Sequence, residues 1–202
     1  MLLVRVRRSN SLISSNMESL TEARRLEIIS LARETSRYEH KVTSGIKYRQ
    51  INAHDLLSRA TEDLDVAFKV GDYDTVIRFE KFIPELRYYY ARLLKKSGKS
   101  ELSKNQKKSV ISKSLVSALD SCEMKIECSC ADFRYRFAYV ATIGNYKLGV
   151  PENRPAPITN PNNKGSMCKH LSAVVGLYSR WSKRVVNDLY KIIEWDNTLL
   201  TK

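Results

Sequence analysis

The stretch LDVAFKVGDYDTVIRFEKF, residues 64–82, alternates apolar and polar side chains on both flanks of Gly71-Asp72. Alternation with period two marks strands that bury one face, and a Gly-Asp pair between two such runs marks a tight hairpin turn. The pattern predicts strands near 64–70 and 75–80, with Leu64, Val66 and Phe68 facing the core opposite Val76 or Ile77. Immediately downstream, PELRYYYARLLKK, residues 84–96, reads as a helix begun by Pro84 and carrying Leu86, Tyr89, Tyr90, Leu93 and Leu94.

Upstream, Ser19 and Glu22 form an S-x-x-E capping box ahead of Leu20, Ala23, Leu26, Ile28, Ile29 and Leu31, which predicts a helix over about 19–38. Its apolar residues spread around the axis, so the expectation is that it is gripped from more than one side. Residues 1–17 carry Arg5, Arg7 and Arg8, several serines and no acid. They read as a basic arm, or as an over-extended start upstream of Met17, with a transit peptide as the alternative.

With 202 residues and 43% apolar content, the chain can bury one modest core. Its formal charge of +13 favours polyanions or acidic protein surfaces, over a range of roughly 8 Å at physiological salt. No run of 18 apolar residues occurs, so a membrane partner is not expected. Residues 95–114 hold seven lysines, one acid and almost no apolar content before Val110, which predicts a basic linker or loop. Val110, Ile111, Leu115, Ala118 and Leu119 then recur at helical spacing and lead to Cys122, read as a small core residue.

Two short motifs carry chemistry. Cys128 and Cys130 flank Ser129, and Cys168 and His170 flank Lys169. Single-residue spacers strain a disulfide, so a metal framework in a reducing compartment fits better. In a strand, residues i and i+2 point to one side, so the first pair can converge where MKIECSC bends at Ser129. Inside a helix the same spacing is about 200° apart, so Cys168 must precede a helix whose first turn holds His170. Four N and S donors suit a tetrahedral structural Zn²⁺. The 37 residues between the pairs include PENRPAPITNPNNKGS, residues 151–166, an irregular loop that such an ion would fix in place. His40 and His54 have no matching partners and read as surface or core histidines. From about 168 to 195, Leu171, Val174, Val175, Tyr178, Trp181, Val185, Leu189 and Ile192 predict one long helix, with its Tyr and Trp in the core.

The expected fold class is therefore α+β: an N-terminal helix, a β-hairpin or small sheet, and a zinc-stabilised strand–loop–helix module ending in a long C-terminal helix. The expected divisions are a basic arm at 1–18, a helix and hairpin region at 19–94, a basic linker at 95–109 and the zinc module at 110–202.

KIECSCADF and MCKHLSAVV resemble the SWIM zinc-finger pattern C-x-C…C-x-H, including the apolar residues around the first pair and a Lys-His-Leu helix opening, although the spacer is longer than in that family. FKVGDYDTVIRFEKF, CSCADFRYRFAYVAT and ENRPAPITNPNNKGSMCKHL are similar to virion-associated proteins of large tailed bacteriophages, over roughly residues 18–180. The second resemblance implies a structural protein of the virion, assembled in the host cytoplasm and contacting other virion proteins within a symmetric multi-copy assembly. The SWIM resemblance implies an alternative, an intracellular nucleic-acid-binding protein with Lys95, Lys96, Lys99, Lys104, Lys107, Lys108, Arg134, Arg136 and Lys169 against phosphates. FRYRFAYV mixes arginine with aromatics, yet Phe133, Phe137 and Val140 share a helical face and read first as core beside the metal. No H-E-x-x-H, phosphate-binding glycine loop or nucleophile elbow occurs, and Asp132 and Glu152 read as a helix cap and a loop charge, so an enzyme is not expected.

Overall fold

The structure is a computed structural model that describes residues 46–52, 56, 62–98 and 101–201. The expected arm at 1–18 and helix at 19–38, with His40, His54 and Lys99, lie outside the described residues. The hairpin forms where the alternation places it, as β2 (Leu64–Val70) and β3 (Tyr73–Phe79). Gly71, at φ 58°, turns the chain between Val70 and its partner Tyr73. A positive φ at the first of two loop residues is what a right-twisted hairpin needs, and glycine adopts it without a Cβ clash.

A short β1 (Ile46–Tyr48) pairs with β2, and β4 (Met124–Cys128) pairs with β3, giving an antiparallel sheet in the order β1-β2-β3-β4. Leu64, Val66, Phe68 and Val70 share the buried face with Thr75, Ile77 and Phe79 and with Met124, Ile126 and Cys128. The register thus resolves the open choice: Ile77 faces the core, and Val76 lies on the wetter face. There Arg78 grips both carboxylate oxygens of Asp65 at 2.7 and 2.9 Å. An antiparallel sheet with one solvated face tolerates such pairs.

Helices cover the apolar face. α1 (Phe82–Ser97) starts two residues before Pro84, which sits in the first turn, where its missing N–H costs nothing. α2 (Lys104–Ser121) corrects the linker expected at 95–109: Lys95 and Lys96 end α1, and Lys104, Lys107 and Lys108 open α2. The capping box Ser103-x-x-Gln106 starts this helix, with Gln106 N–H donating to Ser103 Oγ and Ser103 N–H to Gln106 Oε1. The long C-terminal helix is also corrected, into α4 (Lys169–Gly176) and α5 (Tyr178–Trp195). The break at Leu177 exposes helix-end carbonyls, and Trp181 Nε1 donates to one of them, Val174 O, at 2.8 Å. Trp181 meanwhile packs its ring edge-on to Phe68, centroids 5.1 Å apart, in the core. Between β4 and α4 stand a π-helical turn (Phe133–Phe137), α3 (Ala138–Ile143) and a long irregular segment; α6 (Thr198–Thr201) closes the chain. One buried cluster runs from Leu56 through the sheet and all the major helices to Leu200. No helix among the described residues is long and apolar enough to cross a membrane.

Candidate metal centre

Cys128 ends β4 opposite Thr75, on the sheet's buried face. The chain then bends as expected, because Ser129 N–H donates to Asp74 O and Asp74 N–H donates to Ser129 Oγ, each at 2.9 Å. This double clasp ties the bend to the start of β3. Cys130 opens the next helical segment: its carbonyl accepts from Arg134 N–H at 3.1 Å and its Sγ from Phe133 N–H at 3.2 Å. Cys168 occupies the matching place as the extended N-cap of α4, with His170 in the first turn behind it. Two helical N-termini therefore abut one spot, and an N–H directed at a sulfur there, as from Phe133 to Cys130, favours the thiolate once a cation is bound.

The sulfurs of Cys128, Cys130 and Cys168 and a nitrogen of His170 all lie within 4.8 Å of one another. Cys128 Sγ stands 3.9 Å from His170 Nδ1. Tetrahedral bonds of about 2.0–2.3 Å set donors about 3.5–3.8 Å apart, so the four side chains can hold a metal ion after a small contraction. All four are buried. Tyr73 lies against the His170 ring, centroids 4.6 Å apart, and fixes its plane. Thr75 Oγ1 is buried without a partner. It is a hydroxyl donor across the ladder from a sulfur that becomes anionic on coordination.

Without a cation, burial and close packing favour the neutral forms of three of these donors, Cys130, Cys168 and His170. The contact with Cys128, then burial, raises the Cys168 thiol, and burial raises that of Cys130. Burial, with help from Lys169, lowers the His170 imidazole, which leaves a lone pair for a metal. Cys122 is buried in the core and outside the cluster, as its sequence position predicts.

The 37-residue span between the pairs is held by few side chains. Residues 146–148 run beside β4, with Ile126 N–H donating to Tyr146 O and Leu148 N–H to Ile126 O at 2.8 and 3.0 Å. Asn160, buried in the proline-rich loop, donates to Arg136 O and Lys164 O and accepts from Lys164 N–H. Thr159 Oγ1 donates to Tyr135 O at 2.7 Å. The π-helical turn thus offers two of its carbonyls to the loop. Gly165, at φ 74°, lets the chain turn back beside the Phe137 ring. Phe133 and Phe137 are core, as expected, whereas Val140 is only half-buried.

The residues expected at phosphates fall into two groups on different elements. Lys95, Lys96, Lys104, Lys107 and Lys108 surround the α1–α2 connection, while Arg134 and Arg136 stand exposed on the π-helical turn and Lys169 on α4. Arg136 is taken up by Asp132 at 3.7 Å, so Asp132 acts as an ion-pair partner and makes no side-chain cap. Glu152 holds Arg154 through both oxygens, at 2.9 and 3.0 Å, the loop charge it was read to be. Sequence reasoning missed Tyr73, Thr75 and Asn160, since no spacing rule ties residues so far apart to the cluster.

No family model, curated protein or solved structure matches this chain.

Proposed function

We propose that the chain is a structural, zinc-binding assembly protein that works through protein–protein contacts, in the tailed-phage virion to which its sequence resemblance points. The observation that carries this reading is the buried set of three sulfurs and one imidazole, whose four donors would fill a tetrahedron around an ion and leave no open position for chemistry on a substrate. In this reading the ion is Zn²⁺, held by Cys128, Cys130, Cys168 and His170, and it locks the irregular loop onto the sheet edge.

That loop region is suited to docking. Tyr135, Ile143, Val150 and Ile158 are 63, 58, 83 and 92% exposed, half of the large apolar residues that the described surface displays. Apolar side chains held out on a rigid corner gain most by burial against another protein. The test has two arms. Metal analysis of the purified chain should return one zinc per chain, and a high-resolution map of the purified particle should show this chain with Val150 and Ile158 buried against a neighbour. A zinc-free chain, or a particle that lacks it, overturns the reading.

A further inference from the structure

Away from the metal ligands, a cleft of about 610 Å³ opens between α1, the first turns of α2 and the end of α5. Its floor is apolar, with Ile111, Ile193 and Leu200, and its rim carries Lys104, Lys107 and Lys108. Beside them stands Trp195, 76% exposed. We propose that this cleft binds single-stranded nucleic acid, with one base stacked on Trp195 and the flanking phosphates on the three lysines.

The lysines are placed against local electrostatics. They occupy the first two turns of α2, where the helix dipole disfavours cations, and no acid shares the first turn. Their i, i+3 and i+4 spacing sets like charges side by side. Among the described residues no ion pair relieves them; Lys108 only lies over the Tyr190 ring, 5.4 Å from its centroid. The helix end itself is closed by the Ser103 and Gln106 capping box, so the side chains remain to meet an anion. The two acids in the lining have other work. Glu194 accepts the Tyr190 hydroxyl at 2.6 Å, and Asp196 caps the start of α6 by accepting from Thr198 N–H at 2.9 Å. A large apolar ring left in solvent beside unpaired cations fits a nucleobase and its phosphates better than it fits free water, because every base offers a π-face.

The test uses the full chain, loaded with zinc, and a short labelled oligothymidylate. Of the two tryptophans, Trp181 is buried, so binding should quench the emission of Trp195. Trp195→Ala should weaken binding about 5- to 100-fold, whereas Trp195→Phe, which keeps a stacking face, should recover most of it. The triple variant Lys104→Gln, Lys107→Gln, Lys108→Gln should flatten the log–log salt slope by about 2. These residues are exposed, and an unchanged thermal melt will show that each variant folds. Equal affinity for a polyglutamate peptide, tighter binding of duplex than of single strand, or indifference to Trp195→Ala overturns the proposal.

Discussion

In the sheet and its covering helices, order comes with burial: Phe68, Phe79, Phe82 and Leu86 are wholly withdrawn from solvent. In the corner built from residues 129–168, Val150 and Ile158 point outward, and the buried groups include Asn160 and Ser166. The two regions are thus held by different mixtures of forces. The body excludes water from broad apolar faces, whereas the corner combines a smaller apolar footing, with Phe133, Phe137, Tyr146 and Met167, with the four clustered donors, one buried asparagine and a short run beside β4. The long irregular loop, with two of its large apolar side chains in solvent, recovers less of its chain entropy by burial than a packed helix does, which is the circumstance in which a bound metal would add most.

The largest effect should come from removing the metal. Structural zinc supplies roughly ten kcal/mol or more to a site of this kind, beyond any one side chain. With a chelator, or in Cys168→Ala, amides in 130–168 should lose hydrogen-exchange protection while β2 and β3 keep theirs. The boundary should fall just after Cys128, because β4 is hydrogen-bonded into the sheet. Uniform loss across the sheet would erase the contrast between the two regions. The pH dependence has a definite sign. The Cys168 thiol, raised by its contact with Cys128 and by burial, and the Cys130 thiol, raised by burial, favour the neutral form, so the metal-free corner is tolerated below the ordinary thiol range and loses stability as pH rises through it. Metal binding runs the other way, weakening as pH falls and protons compete for sulfur.

Phe68→Ala probes the body. It removes a fully buried ring that packs on Tyr48 and Trp181, and should cost about 3–5 kcal/mol in a denaturant melt. The folded fraction should still bind one equivalent of zinc. Loss of zinc in parallel with the melt midpoint would mean that the corner has no independent footing.

What could be read from sequence follows the same divide. The hairpin declared itself because strand periodicity and a glycine turn are local signals, although β3 starts at Tyr73, two residues before the expected 75, and ends at Phe79, one before the expected 80. The cluster of three cysteines and one histidine was legible because scarce residue types fell into two tight pairs. α2 was half hidden: its first two turns face solvent with polar side chains, and the Ser103-x-x-Gln106 cap that starts it went unread. The break at Leu177 was invisible because the apolar rhythm continues across it. The π-helical turn and the Asn160 anchor depend on contacts between distant segments, which no local pattern encodes.

Asn160→Ala addresses that anchor and should cost about 1 kcal/mol, since it removes a buried amide that donates to the carbonyls of Arg136 and Lys164 and accepts from Lys164 N–H. The loss should appear as faster exchange in 150–166 with the global melt nearly unmoved. A global shift of the same size would place the loop inside the body's cooperative unit.

The smallest effect is expected at Cys122, and it gives the cleanest comparison, because this cysteine is as buried as Cys128 and Cys130 but belongs to the other region. Its thiol is raised by burial, and it sits at the end of α2 outside any cluster of donors for a cation among the described residues. Cys122→Ala removes one heavy atom from an apolar site and should cost about 1 kcal/mol, spread over the whole melt. Zinc content should stay at one equivalent, and in the native protein the thiol reagent count should not change. Cys130→Ala removes the same atom yet should release the metal and open the corner. If the two variants lost zinc alike, burial rather than the positions of the donors would be setting the behaviour of these cysteines, and the distinction between a packed body and a coordinated corner would fail.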